Sequence, residues 1–167
     1  LNIEVSRFRL ADLLSEVVEL SAARAIQRGI KFCKDFKEGL PEIFGSDFLR
    51  LKSILINLLG NCIKYTFSGH IQLKLEYKEG VLQVEIKDSR YYSDNEKPPA
   101  EKPIGFEQDT SQSNDAHSLS LDNEESELGV LVSRKLIEIL GPPDQMGMKL
   151  LLNKKEGVIF RFGIKDI

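Results

Sequence analysis

Apolar residues in this chain switch repeatedly between two spacings, and the order of these switches limits the possible folds more than any other feature. Spacings of three and four residues place apolar side chains on one face of a helix, whereas strict alternation places them on one face of a strand. The helical pattern occupies residues 8–26, 46–65 and 128–140. The alternating pattern occupies residues 30–36, 70–77, 81–87, 148–152 and 158–164. This order predicts an α+β fold, a two-layer α/β sandwich in which helices cover one face of a mixed sheet.

Residues that break regular structure separate these segments. Gly29 is expected to end the first helix, and residues 39–45, with two glycines and a proline, are expected to form a loop. Ser46 or Asp47 can cap the second helix, because a short oxygen-bearing side chain accepts hydrogen bonds from free N–H groups. Residues 78–80 end in glycine and predict the turn of a β-hairpin.

Size and composition exclude several classes of protein. The chain has 167 residues, 41% hydrophobic and 29% charged, which suits one globular domain spanning residues 1–167. No segment has the roughly 18 consecutive apolar residues of a membrane span, so we expect no direct membrane contact by this fragment. Its first residue is not Met, which suggests a piece of a longer protein. Cys33 and Cys62 lie in apolar segments without a C-x-x-C pair, which favours reduced thiols over a disulfide or a metal site.

Charge is distributed unevenly along the chain. The net charge is −3, which argues against a nucleic-acid binder on bulk electrostatics. Residues 88–127 contain eleven acidic and three basic side chains and therefore carry −8, so the rest of the chain carries +5. The sequence thus combines an acidic segment with a mildly basic body.

Residues 89–127 show neither of the two apolar spacings. Residues 93–99 favour turns and disorder, and residues 110–120 are mostly Ser, Gln, Asn and Asp. Such a composition buries too little apolar surface to offset the entropy of ordering the chain. A long irregular stretch inside a domain is typical of a binding loop, a lid or a disordered segment. We therefore predict a flexible, acidic lid, called here the acidic insertion (residues 89–127).

One face of the second predicted helix is polar. Asn57, Asn61 and Lys64 are four and three residues apart, so they share a helix face beside the apolar stripe. An amide oxygen is a hard neutral ligand that suits Mg²⁺, and a lysine ammonium suits phosphate. Taken alone, these residues could equally be the solvated edge of a surface helix.

The sequence NLLGNCIKYT at residues 57–66 resembles the N-box of the ATP-binding domain of sensor histidine kinases. That superfamily also includes gyrase, Hsp90 and MutL. Residues 45–52 resemble the lead-in to that helix, and residues 84–88 resemble the strand that ends in the adenine-binding aspartate. Residues 105–108 resemble the F-box, and residues 128–136 resemble the end of the second glycine box with the helix that follows it. The resemblance covers almost the whole chain and implies a Bergerat-type ATP-binding fold.

The resemblance also implies roles for individual residues, with ATP and Mg²⁺ as the cofactors. Asn61 would ligate Mg²⁺, and Asn57 would support phosphate or metal. Lys64 and Tyr65 would lie along the nucleotide. Asp88 would accept a hydrogen bond from the adenine amino group, although an aspartate at a strand end is otherwise commonly a turn-former.

The glycine boxes depart from the family pattern. The first box has the form D-x-G-x-G, but Arg90 and Tyr92 occupy its glycine positions. The second has the form G-x-G-L-G, but Glu125 and Glu127 replace two glycines and Gly129 alone remains. Glycine serves there because backbone N–H groups must approach phosphates closely, which side chains obstruct. These replacements predict impaired nucleotide binding.

A kinase of this family also needs a phosphoacceptor histidine on a dimerising helical hairpin, and it passes the phosphoryl group to a receiver domain. His70 falls in a predicted strand and His117 in the acidic insertion, so both are expected to be exposed polar residues. We therefore expect no catalytic residue on this fragment and an acceptor outside it. The implied function is the catalytic, ATP-binding-like domain of a cytoplasmic (hybrid) sensor histidine kinase in a phosphorelay. The alternative is a non-catalytic pseudokinase module for regulation or protein interaction.

Overall fold

The described part of the chain contains three helices and seven strands. The computed structural model describes residues 2–66, 69–89, 121–144, 147–153 and 157–167, with the backbone alone for 121–127 and 152–153. In chain order the elements are β1 (Ser6–Arg9), α1 (Leu10–Gln27), β2 (Lys31–Phe36), β3 (Ile43–Ser46), α2 (Phe48–Tyr65), β4 (His70–Lys78), β5 (Val81–Asp88), α3 (Leu121–Leu140), β6 (Lys149–Asn153) and β7 (Gly157–Lys165). Within these residues, no helix combines the length and the apolar character that crossing a membrane requires.

Five strands form the main sheet in the order β2-β4-β5-β7-β6. Strand β2 pairs in parallel with β4, and the other pairs are antiparallel. Helix α2 packs between α1 and α3. It also contacts β4 and β5, and α3 contacts β7. The predicted α+β sandwich with a mixed sheet is therefore confirmed.

The sheet face opposite the helices carries a row of charges. Asp35, Lys74, Glu85, Arg161 and Lys149 lie side by side on the five neighbouring strands, so they point to the same face. The row alternates in sign over its first four members. Arg161 Nε donates a hydrogen bond of 2.7 Å to Glu85 Oε2.

Helix α2 is built as its sequence predicts. Asp47 caps it, because Asp47 Oδ1 accepts a 3.0 Å hydrogen bond from the backbone N–H of Arg50. Its apolar stripe is fully buried and comprises Leu51, Ile54, Leu55, Leu58 and Leu59. Each such side chain contributes about 1.5–3 kcal/mol by leaving water. This burial holds the polar face of α2 in a fixed position.

A two-stranded ribbon of β1 and β3 was not predicted. We expected the first helix to begin near Phe8 and residues 39–45 to form a loop, but Phe8 lies in β1 opposite Phe44 of β3. Phe8 also packs edge-on against Phe48, with ring centroids 5.1 Å apart. This packing against the start of α2 favours the extended conformation over the helical continuation that local spacing suggested.

Helix α3 begins earlier than expected. We placed its start at Leu128 and the end of the acidic insertion at residue 127, but the helix runs from Leu121 to Leu140. The local sequence of residues 121–127, LDNEESE, lacks an apolar stripe, so spacing alone does not indicate a helix there. The prediction of a flexible lid over residues 90–120 lies outside the described residues.

Candidate nucleotide-binding site

The polar face of α2 is only partly open to solvent. Asn61 is 3% exposed, whereas Asn57, Lys64 and Tyr65 are half-buried. Lys64 Nζ lies 5.7 Å from the centroid of the Tyr65 ring, a distance at which the cation and the ring attract each other. An asparagine merely solvating a helix edge would be exposed, so the burial of Asn61 argues against that alternative.

Asn57 faces α3. Its Nδ2 lies 3.5 Å from Ser53 Oγ on the same helix and 3.5 Å from the fully buried Ser133 Oγ on α3. A side chain at Gly129 would place its Cβ 3.6–3.8 Å from the Asn57 amide atoms, which is ordinary van der Waals contact. The structure therefore brings Asn57 and Gly129 together across the α2–α3 interface. Sequence reasoning missed Ser133, although it lies one helical turn after Gly129 on the same face.

Asp88 is the last residue of β5 and is fully buried. It lies opposite Ile71 of β4 and Val158 of β7, in the middle of the sheet. The chain does not turn at Asp88, since the N–H of Ser89 donates a 3.0 Å hydrogen bond to the carbonyl of His70. Asp88 is therefore a buried residue of an inner strand and does not form a turn.

The segment that corresponds to the second glycine box is helical. Residues 125–129 lie inside α3, and Gly129 has no positive φ. The N–H groups inside a helix are hydrogen-bonded to carbonyls four residues earlier, so they are not available to a phosphate. The backbone in this conformation does not form the phosphate cradle that the family pattern requires.

A family model described as "Histidine kinase-, DNA gyrase B-, and HSP90-like ATPase" matches residues 46–166. The chain belongs to this family. The match includes α2, the hairpin of β4 and β5, α3 and the last two strands, which are the elements that carry the residues above.

Relatives of this ATPase domain are histidine kinases. The aerobic respiration control sensor protein ArcB of Escherichia coli is 36% identical over 77 residues, which cover 46% of this chain and 10% of ArcB. The signal transduction histidine-protein kinase BarA of the same species is 33% identical over 94 residues, covering 53% of this chain and 10% of BarA. The chain thus spans about a tenth of the length of these curated relatives.

Among solved structures, the catalytic domain of histidine kinase ThkA has a TM-score of 0.65 at 24% identity, covering 98% of this chain and 97% of that domain. ThkA in complex with the response regulator protein TrrA gives 0.61 at 25% identity, with 99% and 42% covered. These likenesses extend the assignment of the fold to the whole chain. The protein is a histidine kinase-type ATPase domain of the two-component sensor class.

The residues present in this ATPase domain fit the base and the metal of a nucleotide better than its phosphates. Asn61 offers a buried amide and Asp88 a buried carboxylate, which suit Mg²⁺ and an exocyclic amino group. Thr66, which follows α2, is fully buried, and its Oγ1 has no hydrogen-bond partner among the described residues. A bound ligand or an ordered water would satisfy such a hydroxyl. Within the same residues no group of three acidic, His or Cys side chains could hold a metal by itself.

The expected exposure of the two histidines can be compared with the structure for His70. We expected His70 to be exposed, but it is half-buried, and its backbone N–H donates a 2.9 Å hydrogen bond to Ser89 Oγ. Its Nδ1 lies 3.1 Å from the same hydroxyl, so Ser89 caps the β4–β5 pair and draws the ring inward. His117 lies outside the described residues.

Proposed function

We propose that this chain is the ATP-binding-type domain of a (hybrid) sensor histidine kinase in which base recognition is kept and phosphate binding is weak. Two observations support the two halves of this proposal. Asn61 and Asp88 are buried at the positions that match the N-box and the adenine-binding aspartate. The helical path of residues 125–129 supports impaired phosphate binding and carries the proposal. We assign residues 1–167 to one domain with an acidic insertion, located in the cytoplasm.

Charge adds to the effect of backbone conformation. Glu125 and Glu127 would each repel a polyphosphate. Two like charges about 4 Å apart at an effective dielectric of about 20 repel by about 4 kcal/mol before screening. Since about 1.4 kcal/mol changes an equilibrium constant tenfold, a fraction of this repulsion weakens binding strongly. Arg90 and Tyr92 add side chains where the first box has glycines.

Calorimetric titration of the chain with ATP and Mg²⁺ tests this function. We expect a dissociation constant of about 1 mM or weaker, which corresponds to about −4 kcal/mol. Asp88→Ala should abolish the residual binding, because it removes the group that accepts the adenine amino hydrogen. Asp144→Ala is the matched control, since Asp144 is an exposed carboxylate beyond the end of α3. Micromolar binding would contradict weak phosphate recognition, and unaltered binding by Asp88→Ala would contradict the base-recognition role.

The second candidate is the pseudokinase, a domain that regulates or binds proteins without phosphotransfer. The helical second glycine box favours it as well. The two candidates differ in one product, a phosphorylated histidine. Transfer of label from ATP to any histidine of the full-length protein would exclude the pseudokinase.

An exposed apolar stripe on α3 supports the implied partnership with a helical phosphoacceptor hairpin. Leu128 and Leu131 are 62% and 54% exposed, and the stripe continues through Val132 to Ile139. The spacing of three, one and seven residues keeps these side chains on one side of the helix. Such a stripe matches the apolar face of another amphipathic helix. The complex of ThkA with TrrA supports a receiver domain as the further partner.

Leu131→Ser is expected to weaken binding of the phosphoacceptor hairpin, supplied as a separate polypeptide, about tenfold. The reason is that an apolar side chain at the centre of a helix–helix contact loses about 1–2 kcal/mol of burial. Ile26→Ser is the control, since Ile26 is 74% exposed and belongs to α1, which packs mainly on α2 and β2. Equal binding by both variants in surface plasmon resonance would show that the stripe is not the docking surface.

A further inference from the structure

Asp166 connects three separate parts of the chain near the C-terminus. Its Oδ1 accepts a 2.8 Å hydrogen bond from the backbone N–H of Gly45, and its Oδ2 accepts one of 2.8 Å from the Tyr77 hydroxyl. Its own N–H donates to the carbonyl of Gly80 at 2.9 Å. The hydrogen bond to Asp166, burial and the Asp166 charge raise the pKa of Tyr77 above its usual value. The side chain of Asp166 thus joins β3 to β4, and its backbone N–H joins both to the β4–β5 turn.

Ile167 continues this connection along β3. Its N–H donates a 2.9 Å hydrogen bond to the carbonyl of Gly45, and its own carbonyl accepts one of 3.5 Å from Arg7 Nη1. Arg7 lies opposite Gly45 in the β1–β3 ribbon. A Cβ on Gly45 would lie 2.1 Å from the Ile167 carbonyl oxygen, so a side chain there would occupy the space that Ile167 fills. Strand β3 is therefore held between β1 and the end of the chain.

The same strand leads directly into the helix that carries the candidate site. β3 ends at Ser46, and the next residue is Asp47, the cap of α2. Asp47 Oδ2 also accepts a 2.8 Å hydrogen bond from the backbone N–H of Glu4, so the residues before β1 are attached to the same cap. The start of α2, the ribbon and the C-terminal residues consequently share one set of contacts.

We propose that Asp166 and Ile167 form a latch that couples the C-terminal end of this domain to the β1–β3 ribbon and to the start of α2. Release of the latch loosens the ribbon and the first turn of α2 together. A rearrangement at either end of the domain is thereby transmitted to the other end and to the N-box helix. The latch does not depend on the proposed nucleotide binding, because none of its contacts involves a candidate nucleotide-binding residue.

Hydrogen–deuterium exchange of the chain with Asp166→Ala tests the latch. We expect about tenfold faster exchange in residues 6–9, 43–46 and 48–51, since two hydrogen bonds to a charged group are lost. Exchange across the β5–β7 pair should remain unchanged, because that ladder does not involve the Asp166 side chain. Asp144→Ala, which removes an exposed carboxylate, should exchange like the parent chain.

The coupling must also operate in the reverse direction, because linkage between two sites is reciprocal. Arg7→Ala should therefore accelerate exchange at residues 166 and 167. Tyr77→Phe removes only one of the two hydrogen bonds to the Asp166 carboxylate, so it should accelerate exchange in the ribbon less than Asp166→Ala does. If Asp166→Ala does not fold, Tyr77→Phe provides the test. Unchanged exchange in the ribbon with Tyr77→Phe and Asp166→Ala, or an equal rise across the whole sheet, would overturn the latch.

Discussion

Gly45→Ala is expected to lower the free energy of unfolding by about 3 kcal/mol. The new Cβ would lie 2.1 Å from the backbone oxygen of Ile167, a distance that requires one of the two segments to move. Forcing a methyl group into a packed site costs about 1–3 kcal/mol, and moving Ile167 and Asp166 away breaks hydrogen bonds that contribute about 1 kcal/mol each. For a domain of this size the melting temperature should fall by about 9 °C.

Gly60→Ala provides the matched control for this prediction. Gly60 lies inside α2, and a Cβ there would meet only the end of the Arg24 side chain at 3.6 Å. Since alanine is about 0.8–1 kcal/mol better than glycine inside a helix, this variant should be as stable as the parent chain or more so. Urea denaturation followed by circular dichroism measures both variants. Equal stabilities of the two variants would show that Ile167 does not occupy the space beside Gly45.

Restoring glycine at positions 90, 92, 125 and 127 is expected to raise the affinity for ATP with Mg²⁺ about 100-fold, or about 2.8 kcal/mol. Two glycines inside the first half of α3 weaken the helix by about 1 kcal/mol each, which releases backbone N–H groups from their helical bonds. The same change removes the negative charges of Glu125 and Glu127, and it removes the side chains of Arg90 and Tyr92. Calorimetric titration against the parent chain gives the change directly.

Two companion variants separate the causes of this gain. Glu125→Gln with Glu127→Gln removes the charges and keeps helix-forming side chains, so it isolates the electrostatic part. Asp88→Ala in the glycine-restored chain should return binding to the parent level or below. No gain from the four glycines would contradict the proposal that the boxes limit binding. A full gain from the two glutamines alone would show that charge, and not the helical conformation, is the limiting factor.

The sequence predicts the strongly periodic elements of the fold well, and it fails where distant parts of the chain decide the local structure. Helix α2 and the β4–β5 hairpin are periodic along their whole length, so local spacing is sufficient. The β1–β3 ribbon has four residues in each strand and joins segments more than thirty residues apart. Nothing local in Phe8 distinguishes a strand from the first turn of a helix. Its contacts with Phe44 and Phe48 decide between the two.

The same distinction holds for the candidate site. The asparagine amides of α2 and the Asp88 carboxylate could be identified as candidate ligands from sequence, because their chemistry suits a metal ion and an adenine base. Whether Asn57 faces solvent or α3 depends on how two helices pack, and Ser133 is recognised only once that packing is known. The conformation of residues 125–129 is a further case. The sequence shows that the glycines are replaced, but the helical backbone adds a separate reason for weak phosphate binding.

The row of charges on the sheet face opposite the helices has a consequence for association. A second sheet can stack on the face of a five-stranded sheet when the middle of that face is apolar. Here Lys74, Glu85 and Arg161 occupy the three central strands, with Asp35 and Lys149 on the two edges. Stacking would remove these charges from water without offering partners to all of them, at a cost that apolar burial would not offset. We therefore expect this face to disfavour stacking with the sheet of a second molecule. Added salt should change this little, because desolvation and not long-range repulsion opposes the contact.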